Sequence, residues 1–224
     1  MKVITIIPAG GKGVRSGHDS PKQYLKVNDK ELIVYTLEVF QKNKLIDEIL
    51  VAAEPEYFDL LQNLKENYKL NKIVGVIEGG DSRQASVFNG IKSITNVSDE
   101  DLIVVHDAVR PLLPQSVLTN AIEEAKLKGN SLVCIKARDT LIKGVTFVQN
   151  YIDRDEVFYV QTPQIFPYSV MLKAMANANN SNFVGTDESM LVRQIGEKVN
   201  IVEGSVYNFK ITTNDDIEMF KKLI

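Results

Sequence analysis

Short apolar runs alternate with helical patterns through the first 135 residues, and this alternation restricts the fold more than any other feature. Runs of four or five aliphatic residues predict strands at 3–7, 49–53, 73–77, Leu102–Val105 and 132–135. Apolar spacing between them predicts helices at 31–40, 57–64, 81–94 and 114–127. Strands that are almost wholly apolar are buried on both faces, so the repeated βα units predict a Rossmann-like α/β fold, with a mostly parallel sheet and helices on both faces.

Residues 138–166 interrupt this rhythm. Segments 140–143 and 146–151 predict β structure around a Lys143-Gly144 turn, but they carry too few large apolar residues to bury two faces. We expect this stretch to leave the main sheet as a lid or a protruding dimerisation arm. Helices at 168–175, 187–194 and 215–223 and a strand at 199–202 then complete one domain over residues 1–224.

Composition and charge exclude several classes of protein. A net charge of −3 gives no electrostatic reason to expect nucleic acid or an anionic membrane as partner. Cys134 is the single cysteine and lies in an apolar run, which favours a buried strand thiol. No apolar run approaches the roughly 20 residues of a membrane helix, and the first apolar stretch is too short for a signal peptide. We therefore expect a soluble, cytoplasmic protein.

A glycine-rich loop follows the first predicted strand. It reads Pro8-Ala9-Gly10-Gly11-Lys12-Gly13-Val14-Arg15-Ser16-Gly17, and Pro21-Lys22-Gln23-Tyr24 follows it. Glycines let backbone N–H groups approach phosphate oxygens, and Arg15 and Lys22 add two cations that offset the charge of a triphosphate. The glycine spacing matches neither a dinucleotide fingerprint nor a Walker A loop. The loop therefore predicts a nucleoside triphosphate site.

The motif Ala-Gly-Gly-x-Gly-x-Arg with Pro-Lys-Gln-Tyr resembles the sugar-phosphate nucleotidyltransferases. Within them the chain looks most like the cytidylyltransferases that act on 2-C-methyl-D-erythritol 4-phosphate in the non-mevalonate isoprenoid pathway. Later blocks match in the same order, namely residues 79–86, 105–111, 138–140, 161–166, 186–188 and 208–212. Ser16-Gly17, Phe209 and Asn214 depart from the usual pattern without removing a charged catalytic position.

The resemblance implies a Mg²⁺-dependent nucleotidyltransferase, with roles for the loop residues in transfer of CMP from CTP and release of pyrophosphate. Arg15, Lys22 and Lys210 match the catalytic cations. The positions that match CTP contacts are Pro8, Ala9, Gly10, Gly11, Gly13, Gly80, Asp81, Ser86 and Ala108. Asp81 also begins a predicted helix, where an acidic residue is a plausible N-cap.

The resemblance also implies an acceptor site for the polyol phosphate, at Asp107, Arg110, Thr140, Arg154, Thr162 and Thr186. Asp107 follows a predicted strand and suits either Mg²⁺ or a substrate hydroxyl, because hard cations prefer carboxylate oxygen. Arg110 either pairs with Asp107 or contacts substrate. His106 has no second histidine beside it and reads as a structural residue. Arg154 matches an arginine that reaches the acceptor from a neighbouring subunit, which implies a homodimer with composite active sites.

Three other functions stay open on the sequence. A ribitol-5-phosphate cytidylyltransferase shares most of the blocks, although Pro21-Lys22-Gln23-Tyr24 and Arg138-Asp139-Thr140 favour the methylerythritol substrate. A nucleotide sensor without catalysis would not need Arg15, Lys22 and Lys210. A dinucleotide-binding oxidoreductase is disfavoured by the glycine spacing.

Overall fold

The computed structural model describes residues 1–11 and 20–224. Strands in these ranges are β1 (Val3–Pro8), β2 (Lys26–Val27), β3 (Lys30–Glu31), β4 (Glu48–Ala53), β5 (Ile73–Glu78), β6 (Leu102–Val105), β7 (Ser131–Lys136), β8 (Leu141–Gly144), β9 (Val148–Ile152), β10 (Phe158–Pro167) and β11 (Ile201–Glu203).

Helices occupy most of the chain between these strands. They are α1 (Leu32–Lys42), α2 (Phe58–Asn67), α3 (Arg83–Ser93), α4 (Gln115–Lys128), α5 (Tyr168–Asn180), α6 (Glu188–Gln194) and α7 (Asn214–Lys221). The strands and helices predicted before residue 136 are all present, with ends displaced by at most three residues. None of these described helices has both the length and the apolar character needed to cross a membrane.

Seven of the described strands form one sheet in the order β11-β7-β10-β6-β1-β4-β5. Strands β6, β1, β4 and β5 are parallel neighbours, and β11 is parallel to β7. Strand β10 is antiparallel to both β6 and β7. The mostly parallel sheet predicted from the βα alternation is therefore confirmed, with one antiparallel strand inside it.

The two faces of the sheet are covered by different helices. Side chains alternate along β1, so that Val3 and Ile7 pack with α1, α2 and α4, whereas Ile4 and Ile6 pack with α3, α5 and α6. Both sets of side chains are almost fully buried. Burial of apolar surface on both faces of the sheet drives folding, and it fixes the ends of the strands where the site lies.

Strand β10 corrects the prediction that residues 138–166 leave the main sheet as one unit. Residues 158–166 belong to the sheet, between β6 and β7. The sequence concealed this strand because Gln161, Thr162 and Gln164 are polar, yet all three are buried. Gln161 Nε2 donates to the Ser205 carbonyl at 2.8 Å, and such hydrogen bonds offset the cost of burying an amide.

The remaining part of that stretch contains a β-hairpin outside the main sheet. Strands β8 and β9 pair only with each other among the described strands, and their large apolar side chains are mostly exposed. Val145 and Phe147 at the turn are 96% and 71% exposed, so this hairpin adds little to the core. The predicted role of the hairpin in dimerisation stays a prediction.

Candidate active site

Loops from three strands, β1, β5 and β6, meet at the carboxyl edge of the sheet. The Ala9 N–H, just after β1, donates to the Ala52 carbonyl at 2.7 Å. The Gly79 N–H, after β5, donates to the Ala53 carbonyl at 2.9 Å. The His106 N–H, after β6, donates to the Ile6 carbonyl at 3.2 Å. The predicted CTP and acceptor segments therefore lie side by side, at the edge where α/β sheets commonly bind ligands.

The Gln23 side chain holds the described part of the glycine-rich loop by hydrogen bonds. Its Nε2 atom donates to the carbonyls of Ala9, at 2.5 Å, and Gly11, at 3.0 Å. Gln23 is buried in the short 3₁₀ turn Lys22–Tyr24, which begins after Pro21. These two bonds occupy carbonyl oxygens of the loop and so help fix its backbone. The predicted residues Gly13 and Arg15 lie outside the described residues.

A cavity of about 560 Å³ opens beside this loop. Tyr57 forms part of its wall and stacks on the buried Tyr24, with ring centroids 4.2 Å apart. The lining residues are Ala9, Gly10, Gly11, Pro21, Gln23, Glu54, Pro55, Glu56 and Tyr57. The volume falls in the range of small-molecule sites.

The loop after β5 is built around Ser86. The Gly80 N–H donates to Ser86 Oγ at 3.0 Å, and Ser86 Oγ donates to the Ser82 carbonyl at 2.9 Å. A Cβ atom at Gly80 would lie 2.5 Å from the Ala85 Cβ, so only glycine fits there. This internal hydrogen bonding defines the shape of the predicted base-binding loop.

Asp81 does not cap the helix that follows, which corrects the N-cap prediction. Helix α3 starts at Arg83, and the Ser82 side chain accepts a hydrogen bond from the Ala85 N–H at 3.1 Å. Asp81 is exposed one residue earlier. A serine cap satisfies the helix terminus with a neutral oxygen, which leaves the Asp81 carboxylate available to a ligand.

Asp107 is the centre of a charged cluster. Its Oδ1 atom accepts a hydrogen bond from Arg83 Nε at 3.0 Å, and its Oδ2 atom lies 3.2 Å from both Arg110 Nε and Lys210 Nζ. Burial acts to raise the pKa of Asp107, but Arg83, Lys210 and Arg110 outweigh it and hold this pKa well below its usual range. Asp107 is therefore ionised, and the pairing of Arg110 with Asp107 is the one found in the structure.

The environment of Asp107 does not suit a metal ion. Both carboxylate oxygens already face cations, and no group of three or more His, Cys, Asp or Glu side chains in the described ranges could hold a metal. A Mg²⁺ ion at Asp107 would be repelled by three positive side chains at short range. Of the two roles expected for Asp107, its surroundings therefore favour hydrogen bonding to a substrate hydroxyl over binding of Mg²⁺.

His106 is a buried structural residue, as expected. Its Nε2 atom lies 3.1 Å from the Arg110 carbonyl, which can only accept, so Nε2 carries the proton. The Nδ1 atom then accepts from Thr162 Oγ, at 3.0 Å, and Thr162 Oγ accepts from the Asp107 N–H, at 3.1 Å. Burial lowers the pKa of His106 to about 4, so the ring is neutral at pH 7. Thr162 thus orients Asp107 and the histidine together.

Lys22 and Lys210 are far apart in the sequence but lie close to the same segment, residues 210–212. Lys22 Nζ donates to the Thr212 carbonyl at 2.7 Å, two residues beyond Lys210. Lys210 is 43% exposed while it pairs with the buried Asp107, so its ammonium faces the edge of the site. The Ile211 N–H donates to the Val109 carbonyl at 2.9 Å and ties this segment to the Asp107 loop. The fold therefore brings two of the predicted catalytic cations to the same region.

The remaining acceptor candidates do not join the Asp107 cluster within one chain. Thr140, Arg154 and Thr186 are exposed. Arg154 Nη1 donates to the Arg138 carbonyl at 2.9 Å, and Thr186 Oγ1 lies 3.1 Å from Met190 Sδ. Ala108, predicted for CTP, is buried, and its carbonyl accepts from Thr36 Oγ1 at 2.9 Å. The acceptor role of these residues remains a prediction.

Sequence reasoning missed Arg83 and Glu188. Arg83 connects Asp107 to the buried Glu188. Its Nη1 and Nη2 atoms donate to the two carboxylate oxygens of Glu188 at 2.6 Å and 3.1 Å. Both residues stand inside blocks that carry the family resemblance, at 79–86 and 186–188. No sequence signal pairs two residues that are 105 positions apart.

Comparison with known proteins places this site in a family context. A family model for 2-C-methyl-D-erythritol 4-phosphate cytidylyltransferase matches residues 3–223. A protein of that name from Clostridium acetobutylicum is 37% identical over 222 residues, covering 98% of this chain and 96% of its own. One from Bacillus cereus is 38% identical over 215 residues, covering 95% and 93%. The crystal structure of the Francisella tularensis protein of that name aligns over 100% of both chains with a TM-score of 0.85 at 31% identity.

Proposed function

The chain belongs to the 2-C-methyl-D-erythritol 4-phosphate cytidylyltransferase family, and from that membership we propose that it transfers CMP from CTP to 2-C-methyl-D-erythritol 4-phosphate in isoprenoid biosynthesis. The products are the CDP-linked methylerythritol and pyrophosphate. The observation that carries the proposal is that Lys22 and the Lys210–Asp107 pair meet at the segment 210–212. Gln23, next to Lys22, bonds to Ala9 and Gly11 of the glycine-rich loop. Two cations and a carboxylate at that edge suit a reaction between two phosphate groups.

The reaction that fits these groups is an in-line displacement at the α-phosphorus of CTP. An oxygen of the acceptor phosphate forms a new bond to that phosphorus, and the bond to the bridging oxygen of pyrophosphate breaks. Because the acceptor phosphate is already ionised at pH 7, no general base is needed. His106 would not serve as one, since both ring nitrogens are engaged within the protein. Catalysis then depends on positioning and charge stabilisation.

We assign that charge stabilisation to Arg15, Lys22 and Lys210. Lys22 and Lys210 reach the segment 210–212, and each is held by an oxygen atom of the protein, the Thr212 carbonyl or the Asp107 carboxylate. An ammonium fixed in this way loses little freedom when charge develops on the phosphates. The backbone N–H groups of Gly10 and Gly11 would add donors beside the phosphates.

We propose that Mg²⁺ binds as part of the substrate, MgCTP. The surroundings of Asp107 do not suit a metal ligand, and Mg²⁺ commonly binds nucleotide phosphates with few protein ligands. When bound it would neutralise part of the charge of the triphosphate.

Base selection falls to the loop after β5 and its neighbours. Asp81 is exposed there and offers a carboxylate to the N4 amino group of cytosine, where uracil presents an acceptor. Gly80 and Ser86 hold the loop in shape, and Ser86 also lies near Gly10, whose added Cβ would be 3.6 Å from Ser86 Oγ. Ser86 thus lies between the two proposed CTP-binding loops.

The acceptor site is proposed to be completed by a second copy of the chain. Asp107, Arg110 and Thr162 would bind the polyol, and Thr186 would lie beside it. The hairpin β8–β9 and the following 3₁₀ turn carry Thr140 and Arg154, which lie outside the Asp107 cluster. Exposed apolar side chains on this hairpin favour burial against a partner. We propose a homodimer, acting in the cytoplasm, in which Arg154 of each subunit serves the other's site.

The proposal is tested by pyrophosphate release with CTP and Mg²⁺. Methylerythritol phosphate and ribitol 5-phosphate are compared as acceptors, and UTP, ATP and GTP as donors. We expect release with CTP and methylerythritol phosphate to exceed every other combination by at least roughly tenfold, because one misplaced polar group costs more than about 1.4 kcal/mol. Equal rates with ribitol 5-phosphate would contradict the acceptor assignment, and equal rates with UTP would contradict the role of Asp81.

A further inference from the structure

Arg83 and Glu188 form a buried link behind Asp107 that the proposed reaction does not yet use. Glu188 is 1% exposed at the first position of α6, and Arg83 stands at the first position of α3. Nη1 and Nη2 of Arg83 donate to the two oxygens of Glu188 at 2.6 Å and 3.1 Å. This two-point grip fixes the plane of the guanidinium, which a single contact would leave free to rotate.

The third nitrogen of the same guanidinium, Nε, faces Asp107. Arg83 Nε donates to Asp107 Oδ1 at 3.0 Å, while the other oxygen, Oδ2, lies 3.2 Å from Lys210 Nζ. Asp107 thus divides its two oxygens between Arg83 and the cations on its other side. The orientation of the Asp107 carboxylate, and hence the place of the Lys210 ammonium, depends on where Arg83 is held.

We propose that Glu188 and Arg83 are positioning residues, which orient Asp107 and through it Lys210 for catalysis. Glu188 holds two of the guanidinium nitrogens away from Asp107. Without that carboxylate, Arg83 would turn both of its free donors to Asp107 and draw the carboxylate from Lys210. Lys210 would then lose its partner and move within the site. The inference rests on the proposed role of Lys210, but the Glu188–Arg83–Asp107–Lys210 geometry can be tested separately.

The balance of charge in the cluster around Asp107 supports the positioning role of Glu188 and Arg83. Arg83, Arg110 and Lys210 supply three positive side chains, and Asp107 and Glu188 supply two carboxyl groups. Burial raises the pKa of Glu188, whereas the adjacent Arg83 guanidinium acts to lower it and favours the carboxylate. Removing the charge of Glu188 would leave one buried carboxylate against three cations. Breaking one side of a buried ion pair is strongly unfavourable, so the remaining groups would rearrange.

The test is a double-mutant cycle on kcat with Glu188→Gln and Lys210→Ala, using Glu197→Gln, at an exposed carboxylate, as the matched control. We expect Glu188→Gln to lower kcat by roughly 10- to 100-fold, because a displacement of about 1 Å in a reacting group costs on that order. In the Lys210→Ala background the same change should lower kcat less than about twofold, because its effect passes through Lys210. Equal losses in both backgrounds, or an unchanged kcat, would overturn the proposal.

A crystal structure of the Glu188→Gln variant separates this proposal from the proposed function. We expect Lys210 Nζ and Asp107 Oδ2 to be more than about 4 Å apart, beyond ion-pair distance; an unchanged pair overturns the positioning role even if the wild type is inactive with CTP. Arg83→Lys keeps the charge without the planar fork, so it serves if Glu188→Gln does not fold. It should lower kcat and lengthen the same pair, and a variant with wild-type kcat would contradict the inference.

Discussion

Lys22 and Lys210 show how single side chains reach a common site from distant parts of the sequence. Lys22 lies in a 3₁₀ turn near the amino end, and Lys210 follows the last strand of the sheet. Lys22 is tied to the Thr212 carbonyl, and Lys210 to Asp107. Each ammonium is therefore positioned by protein oxygens rather than left to solvent, which is the arrangement expected of groups that act on a transition state.

Substituting Lys22 should damage turnover more than CTP binding. We expect Lys22→Ala to lower kcat by roughly 10²-fold or more, with a smaller change in KM for CTP, because its charge acts mainly as charge develops. Steady-state pyrophosphate release measures both constants. Lys26→Ala, at an exposed lysine in the next strand, is the control and should behave as wild type. A tenfold higher KM at unchanged kcat would reduce Lys22 to a binding residue.

The buried His106 should make stability depend on pH. Its pKa is about 4 in the folded chain and 6.5 ordinarily, so between these values the unfolded state binds a proton that the folded state does not. Stability should therefore fall as pH is lowered from about 6.5 towards about 4, by up to roughly 3 kcal/mol.

Urea unfolding at pH 7 and pH 4.5 measures this dependence. Asp107 contributes little to the difference, because its pKa is lowered in the fold and its ordinary value of 3.8 already lies below this window. His106→Gln, which keeps an amide donor and acceptor, should lose less stability over the same interval. Equal losses in the two proteins would show that His106 is not the titrating group.

The sequence marks candidate site residues where a family motif or a strand end falls, and the structure shows which of these candidates contact one another. Asp107 follows a strand and Lys210 stands in a matching block, and the two pair at 3.2 Å. The partnership of Arg83 with Glu188 could not be predicted, because a contact between distant helix starts leaves no local pattern. Arg154 contacts the Arg138 carbonyl within its own chain, and its proposed ligand lies in another subunit.

Helix α3 packs closely on strand β1, and a glycine sets the distance between them. A Cβ atom at Gly90 would lie 2.9 Å from Ile6 Cγ2, closer than packed carbon atoms allow. Ile6 is fully buried between sheet and helix, so a shift of its side chain would disturb other packed contacts. Because α3 begins with Arg83, the position of this helix also affects where Arg83 contacts Asp107.

We expect Gly90→Ala to destabilise the protein by about 1–2 kcal/mol. Alanine favours a helix over glycine by about 1 kcal/mol, but overpacking a core contact costs about 1–3 kcal/mol, and the rigid surroundings of Ile6 favour the upper part of that range. Urea unfolding measures the difference, with Lys92→Ala on the exposed side of α3 as the control. A more stable Gly90→Ala variant would show that α3 can shift on the sheet at little cost.

At the level of elements, the sequence predicted the apolar strands of the seven-stranded sheet and missed β10. Leu102–Val105 has the predicted bounds because four aliphatic residues are buried on both faces. Phe158–Pro167 was missed because its buried part contains Gln161, Thr162 and Gln164, whose partners come from distant loops. Hydrophobic periodicity detects strands that bury apolar side chains, but not strands whose buried polar side chains are hydrogen-bonded. Only the structure could therefore reveal β10.

The whole molecule is proposed to work as a dimer, and mixing subunits tests this. Lys22→Ala and Arg154→Ala chains, each expected to be inactive alone, are unfolded and refolded together. If Arg154 acts across the interface, each mixed dimer has one site with both side chains intact. Half of the dimers are mixed at random assortment, so roughly a quarter of wild-type activity should return. If activity stays absent, or the chain is a monomer in solution, the composite site is wrong.

The central claim is transfer of CMP to a methylerythritol phosphate, and label transfer measures it most directly. The protein is incubated with Mg²⁺, methylerythritol phosphate and CTP carrying ³²P at either the α or the γ position. We expect the α label in a single CDP-linked polyol and the γ label only in pyrophosphate, because the bond broken lies between the α-phosphorus and the leaving group. Label released as CMP, or a γ label in the polyol product, would contradict the account.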